Sequence, residues 1–187
     1  MEDLHKYRYV NKLKSVYRVS SNGDRKETDA EHTWGCLMLA DYLLSRLNLD
    51  IDRLKVYEML MYHDMVEIVA GDTPLDPDNP ISREEQVEKE MIAIHTVADN
   101  LPQVMADKLI PLFTEFEEQK TAEARFAKAV DQLEALIQEM DYKEDWKGWN
   151  EEFLRSKKEH YFKDFPEIKS MFNEIVVFLR ENAYFDQ

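Results

Sequence analysis

Only 4 glycines and 6 prolines punctuate the 187 residues, and this scarcity constrains the fold more than any other feature of the chain. A many-stranded β fold turns every few residues and draws on such breakers to do so, whereas long helices need few of them. The apolar residues fall into the matching rhythm. After TDAE at 28–31, whose Thr and Glu have capping-box spacing, Leu37, Ala40, Leu43, Leu44 and Leu47 recur along one helix face. Asp52 is placed to cap a second helix with Leu54, Val56, Met59, Leu60, His63 and Val66, which Gly71 ends. GDTPLDPDNP at 71–80 is the strongest loop signal. SREE at 82–85 has the capping-box spacing again and opens a charged helix to about Asp99; Pro102 suits the first turn of the next. Thr121 opens a long helix with Phe126, Val130, Leu133, Ile137 and Met140, and Pro166 starts a last one with Ile168, Met171, Phe172, Ile175, Val176 and Leu179. No segment of useful length alternates with the period of a strand, and no linker or repeat divides the chain. The expected structure is all-α, a helical bundle in a single domain.

Charge and cysteine usage narrow the function. With 39 acidic against 24 basic side chains the formal net charge is -15, which argues against nucleic acid or an anionic membrane as partner, since both are held by Lys and Arg. One cysteine cannot form an internal disulfide, so a secreted cross-linked scaffold is excluded. No apolar run approaches the ~18–20 residues of a membrane span, and MEDLHKYRYV lacks the apolar core of a signal peptide. A soluble cytoplasmic protein is expected.

Two of the five histidines sit where chemistry is plausible. His32 shares a predicted helix face with Cys36, Leu39 and Leu43, and His63 shares one with Val56, Met59, Leu60 and Glu67. Taken singly, each reads as a core histidine satisfied by a hydrogen bond. Around His63, however, Asp64 is adjacent and Glu67 and Asp72 follow within a turn or two. Imidazole with carboxylate suits one divalent transition ion such as Co, Mn, Fe, Ni or Zn, whereas all-oxygen sites suit Mg and Ca. Asp131 shares its face with Ala124, Ala127, Lys128, Glu134 and Ala135, away from the apolar stripe; by itself it reads as a solvated surface acid. His5, His95 and His160 read as surface or packing residues, Cys36 as a small buried filler, Trp146 and Trp149 as packing, and the acidic run 84–90 as a solvated helix face.

Three stretches together resemble a known family. ETDAEHTW at 27–34, MLMYHDMVEIVAGDTP at 59–74 and AEARFAKAVDQLEALIQ at 122–138 are similar, in order and spacing, to the signatures of the HD-domain metal-dependent phosphohydrolases, and among these to the small helical 5'-deoxynucleotidases. The likeness covers a motif core of about 12–142; the C-terminal helices, 143–187, carry little of it. The resemblance implies an HD-type bundle in which His32, His63, Asp64 and Asp131 bind one divalent transition metal. It further implies that Glu67 orients or deprotonates the attacking water, that Asp72 assists at the leaving group or phosphate, and that Arg18, with Arg25 less directly, binds the substrate phosphate. The implied reaction is hydrolysis of a (deoxy)nucleoside 5'-monophosphate, and the implied assembly is a homodimer. Two positions depart from the branch: Asp29 stands where Val is usual, and Val19 follows Arg18 where a bulky aromatic often walls off a ribose 2'-hydroxyl. The alternatives are the same chemistry on a cyclic nucleotide, a nucleoside triphosphate or guanosine tetraphosphate, and a non-enzymatic acidic helical interaction module. No basic cluster beyond Arg18 and Arg25 is evident to hold a polyphosphate, which favours the monophosphate.

Overall fold

A computed structural model of the chain describes residues 1–73 and 83–185. The bundle is built around α7 (Ala122–Glu139), which packs against α2 (Asp29–Arg46), α3 (Arg53–Tyr62), α6 (Gln103–Glu118) and α9 (Pro166–Glu181). The Thr121 hydroxyl caps α7 by accepting from the Ala124 amide at 3.2 Å. Its neighbours then cover nearly every face, burying Phe126, Val130 and Leu133 but also Lys128, Asp131 and Glu134. Ile137, expected in the apolar stripe, is 42% exposed.

Besides Thr121, the expected start signals are realised in three places. Thr28 and Glu31 form a complete capping box at the head of α2, Asp52 caps α3 through the Lys55 amide at 3.1 Å, and Pro166 is the first residue of α9. The capping box at 82–85 and most of the loop at 71–80 lie outside the described residues. Pro102 precedes α6 as its cap and does not sit in its first turn. The helix that follows the loop, α5 (Arg83–Asp99), lies against α6 and α4 (Glu67–Ala70).

Three expectations are corrected. The helix from Asp52 does not run on to Gly71: it ends at Tyr62, a turn follows over 63–66, and Glu67 opens α4. The His63 ring nitrogen Nδ1 donates to the Leu60 carbonyl at 2.8 Å, and Gly71, at φ 72, closes α4 in a backbone region that favours glycine. Leu54, placed on the apolar face, is 65% exposed.

The third correction is a hairpin of β1 (Tyr17–Asn22) and β2 (Arg25–Thr28), antiparallel, with Ser21 opposite Lys26 and Asn22 opposite Arg25. Its strands are too short and polar to announce themselves, because the stabilising partners are elsewhere in the chain. Ser21 donates through its amide to Asp145 at 2.6 Å and through its hydroxyl at 2.8 Å, and accepts from the Gln138 side chain at its carbonyl at 2.8 Å. The turn is tied by Gly23, φ 65, whose amide donates to the Tyr142 hydroxyl at 2.8 Å.

The C-terminal region packs on the same core. Asn150 caps α8 (Glu151–Lys158) through the Phe153 amide at 2.8 Å, and Trp146 and Trp149 meet edge to face with ring centres 5.6 Å apart. Both tryptophans are buried, as expected of packing residues. Among the described residues, no helix is long and apolar enough to cross a membrane.

Candidate metal centre

α2, the end of α3 and α7 bring His32, His63, Asp64 and Asp131 together, although 99 residues separate His32 from Asp131. His32 is fully buried, and His63, Asp64 and Asp131 are each no more than 8% exposed. Each imidazole is oriented from behind. His63 Nδ1 must carry its hydrogen, because the Leu60 carbonyl it meets is an acceptor only. His32 Nδ1 likewise donates to Glu134 Oε2 at 2.5 Å. Both rings therefore present Nε2 to the centre of the cluster, the arrangement that outer partners impose on metal-binding histidines.

Those Nε2 atoms face oxygen. His32 Nε2 lies 3.1 Å from Asp131 Oδ1 and 4.0 Å from Asp64 Oδ2. His63 Nε2 lies 3.1 Å from Asp64 Oδ1 without a hydrogen bond, and among the described residues Asp64 Oδ2 is also buried without one. Burial keeps His63 below the ordinary imidazole pKa, despite the pull of Asp64 and Asp131, so a neutral ring directs a lone pair at a carboxylate. Such an arrangement wants a cation between the two. His32 differs: burial and Arg18 oppose its charging, but Cys36 and Asp131 outweigh them and raise its pKa. Asp131 is held well below the usual carboxylate range against its own burial, by Lys128 and by its hydrogen bond to His32. Lys128 Nζ lies 3.1 Å from Asp131 Oδ2. A helix buried on all sides overrides the sequence reading of Asp131 as a surface acid.

Beside this cluster lies a second group of acids. Asp29, Asp64 and Glu67 offer carboxylate oxygens within 4.8 Å of one another. Arg18 spans them, with Nη1 3.7 Å from both Asp29 Oδ1 and Asp64 Oδ2 and Nε 3.5 Å from Glu27 Oε2. Burial and the neighbouring Asp64 push Asp29 up to about 7, against the charge of Arg18. Burial raises Glu67 too, reinforced by Asp64, Asp29 and Asp72, and it raises Asp72 against the charge of Arg18.

A cavity of about 450 Å³ opens over these groups, and Arg18, His63, Asp64, Glu67, Asp72 and Asp131 all line it. Arg25 does not. It lies in a separate hollow beside Trp34, with its guanidinium paired to both oxygens of Glu31, one contact at 2.7 Å.

Several residues of the cavity were not visible in the sequence. Lys128, Lys157 and Lys158 line it, so the absence of further basic groups, used to set polyphosphates aside, does not hold in three dimensions. Lys158 donates to Gln132 Oε1 at 2.5 Å, and burial lowers its pKa against the charges of Asp131 and Glu139. Trp149 both packs and borders the cavity. The run 84–90 is not wholly a solvated face, since Glu90 is 6% exposed and lines the cavity. Glu134, which orients His32, was read only as part of the face of Asp131. One signal pointed to it: Gly35 sits inside α2, where glycine costs roughly 0.5–1 kcal/mol relative to alanine. A Cβ there would lie 2.0 Å from Glu134 Oε1, so the glycine makes room for that carboxylate.

The chain is similar to several known proteins. The 5'-deoxynucleotidase HDDC2 of Homo sapiens is 32% identical over 141 residues, a match covering 73% of this chain and 66% of that protein. The same-named protein of Dictyostelium discoideum is 26% identical over 147 residues, covering 74% of this chain and 76% of that one. The chain thus spans about two thirds of the length of the human relative. A crystal structure described as a predicted metal-dependent phosphohydrolase of Magnetospirillum magnetotacticum MS-1 superposes with a TM-score of 0.86 at 26% identity, covering 100% of this chain and 95% of that one. The family described as HD domain matches residues 10–169, well over half of the sequence, and the chain belongs to that family.

Proposed function

We propose that this protein is a metal-dependent phosphomonoesterase that hydrolyses (deoxy)nucleoside 5'-monophosphates to nucleoside and phosphate. The observation that carries the reading is His63 Nε2 facing Asp64 Oδ1 at 3.1 Å with no hydrogen bond between them, in a cavity that also holds Arg18. The relatives named 5'-deoxynucleotidase support the substrate class.

His32, His63, Asp64 and Asp131 would hold one divalent transition ion, Co, Mn, Fe, Ni or Zn. Such an ion, when bound, polarises a phosphoryl group and lowers the pKa of water. Arg18 clamps the phosphate, leaving its carboxylate partners for the substrate oxygens; a guanidinium offers several donors in a plane suited to this. Glu67 accepts the proton of the attacking water, and its elevated basicity in a buried acid cluster suits that task. Asp72, on the same cavity wall, supplies a proton to the departing nucleoside oxygen. For Arg25 to reach a phosphate it must first leave Glu31, so its role is to pin β2 to α2. A homodimer belongs to the same proposal; the family likeness supports it, as do Trp34, Met38 and Tyr42, exposed at successive turns of α2.

The test is phosphate release by metal-stripped protein reloaded separately with Co, Mn, Zn or Mg. Deoxymonophosphates, their ribose counterparts, a cyclic nucleotide and a deoxynucleoside triphosphate are compared. Release from the monophosphates in the metal-loaded forms alone is expected. Release only from the triphosphate would move the assignment to that substrate and make the three cavity lysines its phosphate site. No release with metal bound would overturn the monoesterase reading.

A further inference from the structure

The C-terminal helices carry little of the family likeness, yet one of their side chains reaches the support of the metal centre. Lys158, the last residue of α8, lines the cavity and donates to Gln132 Oε1 at 2.5 Å. Gln132 in turn donates through Nε2 to Asp131 Oδ2 at 3.0 Å. Gln132 follows Asp131 directly on α7, whereas 26 residues separate it from Lys158.

The direction of this chain of bonds is set at its outer end. An ammonium group has donors only, so the oxygen of the Gln132 amide must face Lys158. The amide nitrogen is thereby turned towards Asp131 and presents a hydrogen to it. Without the lysine the two ends of the amide could exchange, and its oxygen would then oppose the Asp131 carboxylate. The effect falls on one oxygen of Asp131. Oδ2 meets both Gln132 Nε2 at 3.0 Å and Lys128 Nζ at 3.1 Å. Oδ1 lies 3.1 Å from His32 Nε2, the nitrogen that faces the centre. Two donors thus hold the outer oxygen and leave the inner one to the cluster.

We propose that Lys158 and Gln132 are positioning residues of the metal centre: Lys158 sets the Gln132 amide, and the amide, with Lys128, holds Asp131 by Oδ2 so that Oδ1 is left for the ion. α8 then completes the centre from outside the motif core. This rests on the reading above that the cluster holds a divalent cation.

The experiment uses the full chain, stripped of metal, and measures zinc affinity by competition with a chelator. The variants are Lys158→Met, Gln132→Met, both together, and Lys158→Arg, with the metal-free Tm and steady-state kinetics at saturating metal recorded alongside. Loss of an outer partner of a metal ligand typically weakens binding about 10–100-fold, and a loss of that size is expected in each single Met variant. Because Lys158 acts through Gln132, the double variant is expected to lose no more than Gln132→Met alone. Lys158→Arg, again a group with donors only, is expected to recover most of the affinity. Wild-type affinity in the single variants would overturn the positioning role, and so would losses that simply add. Unchanged affinity with a raised KM would make Lys158 a substrate-binding residue instead, and unchanged affinity with a lowered metal-free Tm would make it a packing residue. If Lys158→Met fails to fold, Gln132→Met decides, since full affinity there breaks the chain of bonds at its middle. Absence of zinc binding by the wild type would overturn the metal centre itself, a failure distinct from the others.

Discussion

Single residues differ widely in how far their surroundings can be inferred from the chain. His63 and Asp64 are neighbours in sequence, so their joint chemistry is legible at once. Asp131 is not: Lys128, three residues before it, helps to hold its pKa down, but its burial and its hydrogen bond come from the packing of other helices and from His32. Glu67 lies between these cases: its place after His63 is visible, its acid neighbours less so. Burial, then Asp64 and Asp29, raise its pKa, and as a base it must be ionised. Turnover will therefore fall on the acid side of the pH profile. Asp29→Asn removes a negative neighbour, which lowers the Glu67 pKa and moves that acid limb to lower pH; a limb that stays in place would detach Asp29 from the reaction. Glu67→Gln is expected to retain metal and lose about 10²–10⁴-fold in kcat, checked by metal analysis alongside steady-state kinetics. Metal itself competes with the proton on His32, so affinity in chelator-competition titrations will rise with pH until His32 is neutral in the metal-free form.

Among the secondary-structure elements, starts were more legible than ends and pairings. Thr28, Asp52 and Thr121 cap their helices through their own side chains, and such local hydrogen bonds are written in a few adjacent residues. The break after Tyr62 has no glycine or proline to mark it, and the hairpin is completed by distant groups, Asp145 and Gln138. The contact between α2 and α7 at Gly35 joins one element to the chemistry of another. Gly35→Ala adds a methyl where Glu134 now lies, so that carboxylate must swing away from His32. Loss of an orienting partner of this kind typically weakens metal binding about 10–100-fold. The gain in helix propensity, about 1 kcal/mol, opposes the loss of packing, so the metal-free melting temperature will move little while metal affinity drops. Unchanged affinity would remove Glu134 from the support of His32.

For the whole molecule, an all-helical architecture follows from few breakers and a 3.6-residue rhythm, both visible in the sequence. The cavity does not, since its walls are drawn from β1, the 63–73 stretch, α5, α6, α7 and α8. An unfolded chain scatters the same donors and holds no site, so metal will stabilise the folded form by mass action, about 2.7 kcal/mol at one hundred times Kd. At about 2–4 °C per kcal/mol for a chain of this size, a rise in Tm follows, and Asp64→Ala is expected to abolish it together with activity. A Tm shift that survives in Asp64→Ala would place the ion elsewhere. The burial of α7 on nearly every face carries this linkage to amides far from the donors. A helix at the centre of the packing opens to solvent only when the whole domain lets go. Its backbone hydrogens will exchange at the rate of global unfolding, and a cation gripping one carboxylate of that helix will slow deuterium uptake along its entire length.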